Sequence, residues 1–165
     1  MKFLNIGFIV LVISNISQAQ NVNLTKADTY QRHTELAWNT DVSGAEYFKV
    51  MRSDDKVTFS PVKTITTKQY MDFSSAGQLD TFYYFIQALN GLNQVVAVSD
   101  TIKATEYGMS DDQLMDMVQK YTFRYFWDDA HPTSGMARER NKSGDIVTTG
   151  GSGFGIMGIL AGIEN

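Results

Sequence analysis

The chain has 165 residues, 43% of them hydrophobic and 19% charged, with a formal net charge of −4. That balance is ordinary for a globular protein and excludes a disordered tail. The negative charge argues against nucleic acid or an acidic membrane surface as partner.

Residues 1–19 read as a secretory signal. Lys2 supplies the positive start, residues 6–13 form a short apolar block, and Ser17-Gln18-Ala19 offers small residues at the two positions a signal peptidase reads. The block is far shorter than the roughly 20 residues of a membrane-spanning helix. Cleavage is expected after Ala19. The mature protein is then exported, to the periplasm or beyond, with no membrane span. Losing Lys2 takes the net charge to −5, a balance that suits a neutral substrate. There is no cysteine, so disulfides and lipid attachment through an N-terminal cysteine are both ruled out. A hydrophobic core must hold the exported protein together.

Residues 20–106 read as β-structure. Leu36 and Trp38 alternate around Ala37, and Phe48, Val50 and Arg52 alternate in turn. Phe82, Tyr84, Ile86 and Ala88 make the longest alternating run, and Val96 and Val98 follow it. Turn signals separate these runs: Asn39-Thr40-Asp41, Ser43-Gly44, Ser53-Asp54-Asp55, Ser74-Ser75-Ala76-Gly77 and Asn90-Gly91. Short alternating strands between polar turns predict a sandwich with one wet face per strand. Asn90-Gly91 is the best hairpin candidate, because glycine tolerates the positive φ of a tight primed turn. Phe82-Tyr83-Tyr84-Phe85 offers two readings. It is a glycan-stacking surface, or two rings pack inward while two cover the opposite face, which is the commoner use of strand aromatics.

Several of these motifs together resemble a fibronectin type III domain: Leu36-x-Trp38, Phe48-x-Val50-x-Arg52, Tyr70-x-Asp72, and the run ending in Ala88-Leu89-Asn90. The position at which that fold places its corner tyrosine falls on Phe82, which has no hydroxyl. Either Tyr83 takes the role in a shifted register or the corner hydrogen bond is missing.

The periodicity changes after Tyr107-Gly108. Ser110 with Gln113 fits a capping box, and Asp111 and Asp112 suit the positive end of a helix. Leu114, Met117, Val118, Tyr121, Tyr125 and Phe126 recur at helical spacing, which predicts a helix over 111–127. Pro132 disfavours helical geometry at His131. A polar, turn-rich stretch runs to Gly153. A second apolar pattern then begins with Phe154, Ile156, Met157, Ile159, Leu160 and Ile163, and reads as another helix. About 55 residues are marginal as a helical domain of their own, so the expectation is a piece of a longer protein.

The polar stretch concentrates the chemistry. Aromatics stack on sugar faces, carboxylates and arginines hydrogen-bond hydroxyls, and a carboxyl pair does acid and base work in glycoside hydrolysis. The segments Tyr125-Phe126-Trp127-Asp128, His131-Pro132, Ala137-Arg138-Glu139-Arg140 and Thr148-Thr149-Gly150-Gly151-Ser152-Gly153-Phe154-Gly155 occur in that order. Residues 110–165 are thereby similar to the start of the bacterial glycoamylase-like domain of glycoside hydrolase family 144. The resemblance implies a toroid of paired helices, an (α/α)6 all-α fold of which only the truncated start lies here. It implies inverting hydrolysis of β-1,2-glucan, a glucan polysaccharide or oligosaccharide as partner, and a catalytic acid and base mostly beyond residue 165. The expected substrate-binding residues are Trp127, Asp128, His131, Arg138, Glu139, Arg140 and Thr149.

Each has a plainer reading beside it. Trp127 is a stacking platform or a core residue between helices. Asp128 binds a hydroxyl or is a solvated helix end. His131 before proline is more often a turn residue than a proton shuttle. Glu139 is the one carboxylate here with a case for acid–base work, against which stands an ion pair with a neighbouring arginine. Asp111, Asp112 and Asp116 lack metal-loop spacing. Gly153-x-Gly155-x-x-Gly158 matches a dinucleotide fingerprint by letter, without the preceding strand it needs. The alternative is that these glycines let the backbone come close to neighbouring helices or a sugar. No residue spacing calls for a metal or a cofactor. A competing function is a non-catalytic sandwich that binds a glycan or a protein partner outside the cytoplasm.

Overall fold

A computed structural model describes residues 21–74 and 79–164, with the side chains of 162–164 outside the description. The signal segment, the turn residues Ser75, Ala76 and Gly77, and the side chain of Ile163 therefore lie outside the described residues. The chain divides into two compact units between Tyr107 and Gly108.

The first unit is a sandwich of strands β1 (Val22–Thr29), β2 (His33–Thr40), β3 (Tyr47–Ser53), β4 (Ser60–Ile65), β5 (Gln69–Phe73), β6 (Thr81–Leu89), β7 (Val95–Val98) and β8 (Ile102–Thr105). One sheet runs β1-β2-β5, and the other runs β4-β3-β6-β7 with β8 also on β6. This is the fibronectin type III strand order, with the last strand broken in two. The break is at Ser99, whose N–H donates to the Ile86 carbonyl at 2.9 Å. Its hydroxyl accepts the Ile86 N–H, also at 2.9 Å, so the kink leaves no orphan on β6. Pro61 sits on the edge strand β4, where a missing donor costs no ladder bond.

Alternation decides the core. Leu36 and Trp38 from one sheet meet Phe48, Val50, Tyr84, Ile86 and Ala88 from the other. The Trp38 and Phe48 rings meet edge to face at 5.6 Å. Within β6, Phe82 and Tyr84 are buried while Tyr83 and Phe85 lie half-buried on the outer face. Two rings of the run thus pack inward and two lie on the opposite face.

The inward row of β3 ends in a charge. Arg52 reaches Asp72 of β5 (Nη1 to Oδ2, 3.0 Å), and the buried Tyr84 hydroxyl donates to the same oxygen at 2.8 Å. The guanidinium also lies 4.7 Å from the centre of the Phe82 ring. Two motifs that resembled a fibronectin domain, Phe-x-Val-x-Arg and Tyr-x-Asp, therefore join at one end of the core. Burial first, and the Asp72 charge second, push the Tyr84 hydroxyl well above the usual tyrosine range. Of the corner alternatives, the shifted register on Tyr83 does not occur. The buried hydroxyl belongs to Tyr84, whereas Tyr83 points to the outer face beneath the Lys56 ammonium.

Two local expectations also change. The β6–β7 connection is a hairpin, but the positive φ falls on Asn93 (59°) rather than Gly91. Asn90 organises a longer loop, its Oδ1 accepting the N–H groups of Leu92 and Gln94, both at 3.0 Å. A Cβ at Gly91 would lie 2.7 Å from Glu46 Oε1, the tip of an exposed side chain that can move aside. On β7 Ala97 stands opposite the inward Ala88 and faces in, Val98 stands opposite Gln87 and faces out, and the exposed Val96 is the residue skipped at a bulge.

The second unit contains α1 (Asp111–Trp127) and α2 (Thr149–Glu164). The α1 cap is a full capping box: Ser110 N–H donates to Gln113 Oε1 at 2.9 Å, and Gln113 N–H to Ser110 Oγ at 3.3 Å. The second helix starts five residues earlier than its apolar pattern, at Thr149 rather than Phe154. Glycine's poor helix propensity hid that first turn. The Thr148 hydroxyl caps it by accepting the Gly151 N–H at 3.2 Å. Among the described residues, no helix is long and apolar enough to cross a membrane.

Candidate functional site

The polar stretch between α1 and α2 is a hydrogen-bonded scaffold rather than a loose loop. Its centre is a short antiparallel pairing of Arg138 with Val147. Glu139 N–H donates to the Ile146 carbonyl and Thr148 N–H to the Ala137 carbonyl, both at 3.0 Å. The pairing is pinned from two helices. The Tyr125 hydroxyl on α1 donates to the Arg138 carbonyl at 2.7 Å. Ser152 on α2 accepts the Ala137 N–H at 3.0 Å and donates to the Thr148 carbonyl at 2.7 Å. Sequence reasoning missed Tyr125 and Ser152 in these roles. The signal for Ser152 was its four-residue step from Thr148, which is helical spacing.

Two glycines set how closely α2 approaches. A Cβ at Gly155 would lie 2.9 Å from the Phe126 ring. One at Gly151 would meet the Thr148 hydroxyl at 2.5 Å and the Ala137 methyl at 3.4 Å. The Gly153–Gly158 fingerprint lies inside α2, with no strand leading into it, so a dinucleotide turn is excluded. Close helix approach accounts for Gly155.

The expected site residues fall as follows. Trp127 ends α1, 60% exposed, and stacks on Phe123 with ring centres 5.7 Å apart. Asp128 is the C-cap of α1, where Arg124 offsets the poor match with the helix dipole (Nε to Oδ2, 3.1 Å). His131 is a turn residue. Its Nδ1 accepts the N–H groups of Thr133 and Ser134 at 3.3 and 3.2 Å. With Nδ1 occupied as an acceptor, the ring proton sits on Nε2 and points to Asp145 Oδ1 at 3.3 Å. Glu139 pairs with the adjacent Arg140 (Oε1 to Nη2, 2.6 Å) at the surface. Arg140 N–H is held by Ser143 Oγ at 2.7 Å. Thr149 is exposed at the first turn of α2.

Arg138 stands apart. Its side chain is half-buried, and its Nε is buried with no hydrogen-bond partner among the described residues. The scaffold therefore brings Arg138, Glu139 and Arg140 to one short strand. Asp128, Glu139 and Asp145 each already have a cationic or histidine partner. Among the described residues, no group of three His, Asp or Glu side chains is arranged to hold a metal ion.

The chain is 40% identical over 146 residues to an exo β-1,2-glucooligosaccharide sophorohydrolase (non-reducing end) of Parabacteroides distasonis. This chain is a homologue of a β-1,2-glucanase. The match covers 86% of the chain but 20% of that relative, so the chain spans about a fifth of the relative's length. The crystal structure of the β-1,2-glucanase from Parabacteroides distasonis superposes with a TM-score of 0.66 at 39% identity, over 88% of this chain and 21% of that one. An Fn3-like protein from Clostridium thermocellum matches 55% of the chain and 91% of its own length, with a TM-score of 0.41 at 20% identity. No protein-family model matches. The matched stretch takes in both units.

Proposed function

We propose that the chain is part of a longer exported glycoside hydrolase that cleaves β-1,2-glucan with inversion. One observation carries the reading: the 40% identity to a β-1,2-glucooligosaccharide hydrolase extends over 86% of the chain, sandwich and helical unit together. Export is supported by Lys2, the apolar block and the small residues before Gln20. In this reading Trp127 offers its exposed ring to a glucosyl face. Asp128, His131, Arg138, Glu139, Arg140 and Thr149 line the same wall as hydroxyl ligands. Glu139, tied to Arg140, serves sugar binding rather than proton transfer. Inversion requires two carboxyl groups about 6.5–9.5 Å apart with water between them. Asp128, Glu139 and Asp145 are each tied to another side chain, and the acid and base are assigned to the remainder of the enzyme and the 165-residue piece to an inactive state.

The test is product analysis with the full-length enzyme on β-1,2-glucan. Release of sophorose, with the α-anomer appearing first by proton NMR, is the expected result. No oligosaccharide from any β-glucan would remove the enzyme reading. Glu139→Gln in the active enzyme is expected to raise KM and to leave the pH profile of kcat in place.

A further inference from the structure

The two sheets of the sandwich carry their charge differently. On the strands of the three-stranded sheet, every carboxylate is paired: Asp28 and Glu35 with Lys26, and Asp72 with Arg52. The five strands of the other sheet contain no carboxylate at all. They carry Lys49, Lys63 and Lys103, and the β3–β4 turn adds Lys56 beside two carboxylates, Asp54 and Asp55, of which Asp55 is engaged by the Val57 and Thr58 N–H groups of the turn itself. Among the described residues none of these four lysines lies in an ion pair, although the protein as a whole is acidic.

Three of the four surround aromatic rings. Tyr83 stands opposite Lys103 across the β6–β8 ladder, and the Lys56 ammonium lies 5.9 Å from the centre of its ring. Phe85 stands opposite Met51, on a row next to Lys49, and is braced by Phe59 at 4.8 Å. Both rings are half-buried. Lys63 lies on the edge strand β4, where a lysine guards against strand addition.

We infer that this face, built on Lys49, Met51, Lys56, Tyr83, Phe85 and Lys103, binds an anionic polysaccharide. Aromatic rings take the apolar faces of sugar rings, and unpaired ammonium groups take the carboxylate or phosphate substituents between them. A neutral glycan would use the rings and leave the ammoniums idle. An acidic protein would use the charge and need no stacking surface. The inference does not rest on the glucanase reading, whose sugar-binding residues lie in the helical unit.

Calorimetric titration of the whole chain with an oligogalacturonate tests it, with a neutral sophoro-oligosaccharide and an oligoglutamate as controls. Oligogalacturonate is expected to bind at least about tenfold tighter than either control, and to weaken as salt is raised. Lys49→Glu with Lys103→Glu is expected to lower its affinity about tenfold, and Tyr83→Ser about threefold without any change of charge. Lys49→Gln with Lys103→Gln repeats the first test should charge reversal disturb the far-UV spectrum. Equal binding of oligoglutamate, no binding of oligogalacturonate, or indifference to both lysine pairs overturns the proposal.

Discussion

The sandwich and the helical unit differ in how completely they hide their apolar groups. In the sandwich, Val50, Ile86 and Ala88 are fully buried and Trp38 is 1% exposed. No residue of α1 is buried, and Phe154, Ile156, Met157 and Leu160 of α2 are each 58–68% exposed. Both regions have regular secondary structure and good caps. The contrast teaches that capping and periodicity make elements, while closure of two apolar faces on each other makes a core. The helical unit is held by polar pins, Tyr125 and Ser152 on the Arg138 strand, and by one close approach at Gly155. An open cleft of about 890 Å³ runs between its helices, lined by Phe123, Phe126, Phe154 and Met157.

The sharpest way to break this comparison is to truncate one apolar residue on each side. Trp38→Ala is expected to cost about 3–5 kcal/mol in urea unfolding followed by far-UV circular dichroism. Leu160→Ala is expected to stay within about 0.5 kcal/mol, because its side chain is already largely wet. Comparable losses would mean that the helical unit has a core of its own.

Next comes the polar end of the sandwich. Asp72→Ala leaves the Arg52 charge and the Tyr84 hydroxyl without their shared partner, and is expected to cost about 2–3 kcal/mol in the same assay. Alkaline pH probes the cluster without mutation. The folded Tyr84 hydroxyl releases its proton above the ordinary value of 10.0 at which the unfolded chain releases it. The folded state therefore holds more protons there, and the contribution is complete below that pH. It is lost as pH rises through the folded value. Unfolding midpoints of the native chain should fall above about pH 10, and Tyr84→Phe should flatten that decline. An unchanged alkaline limb would detach Tyr84 from the effect.

The smallest effects separate two glycines of one helix. Gly155→Ala drives a methyl into the Phe126 ring and is expected to lower helical signal, whereas Gly153 faces open space. Gly153→Ala should raise helicity, by the roughly 1 kcal/mol that separates glycine from alanine in a helix. Changes of the same sign would show that α2 does not rest on α1 at Gly155.

Much of the architecture was legible because it is local. The α1 bounds followed from a capping box at Ser110–Gln113 and a proline three residues past Asp129. The strand faces of β2, β3 and β6 followed from alternation. The start of α2 was not legible, because Gly150, Gly151 and Gly153 read as loop until the Thr148 cap and the approach of Ala137 to Gly151 are in place. The site was legible only as a list of residues. His131 as a turn residue and the Glu139–Arg140 pair were among the readings available beforehand, whereas the pins from Tyr125 and Ser152 were not.

The amino-acid order by itself determined where elements begin, which face of each is apolar, and the kinship with a glucan hydrolase, since these depend on neighbours a few positions apart. Tertiary structure alone decided which partner the buried Tyr84 hydroxyl would find, and that Gly155 serves close approach rather than backbone angle. Those choices rest on Asp72 and Phe126, side chains far along the chain whose arrival no local pattern encodes.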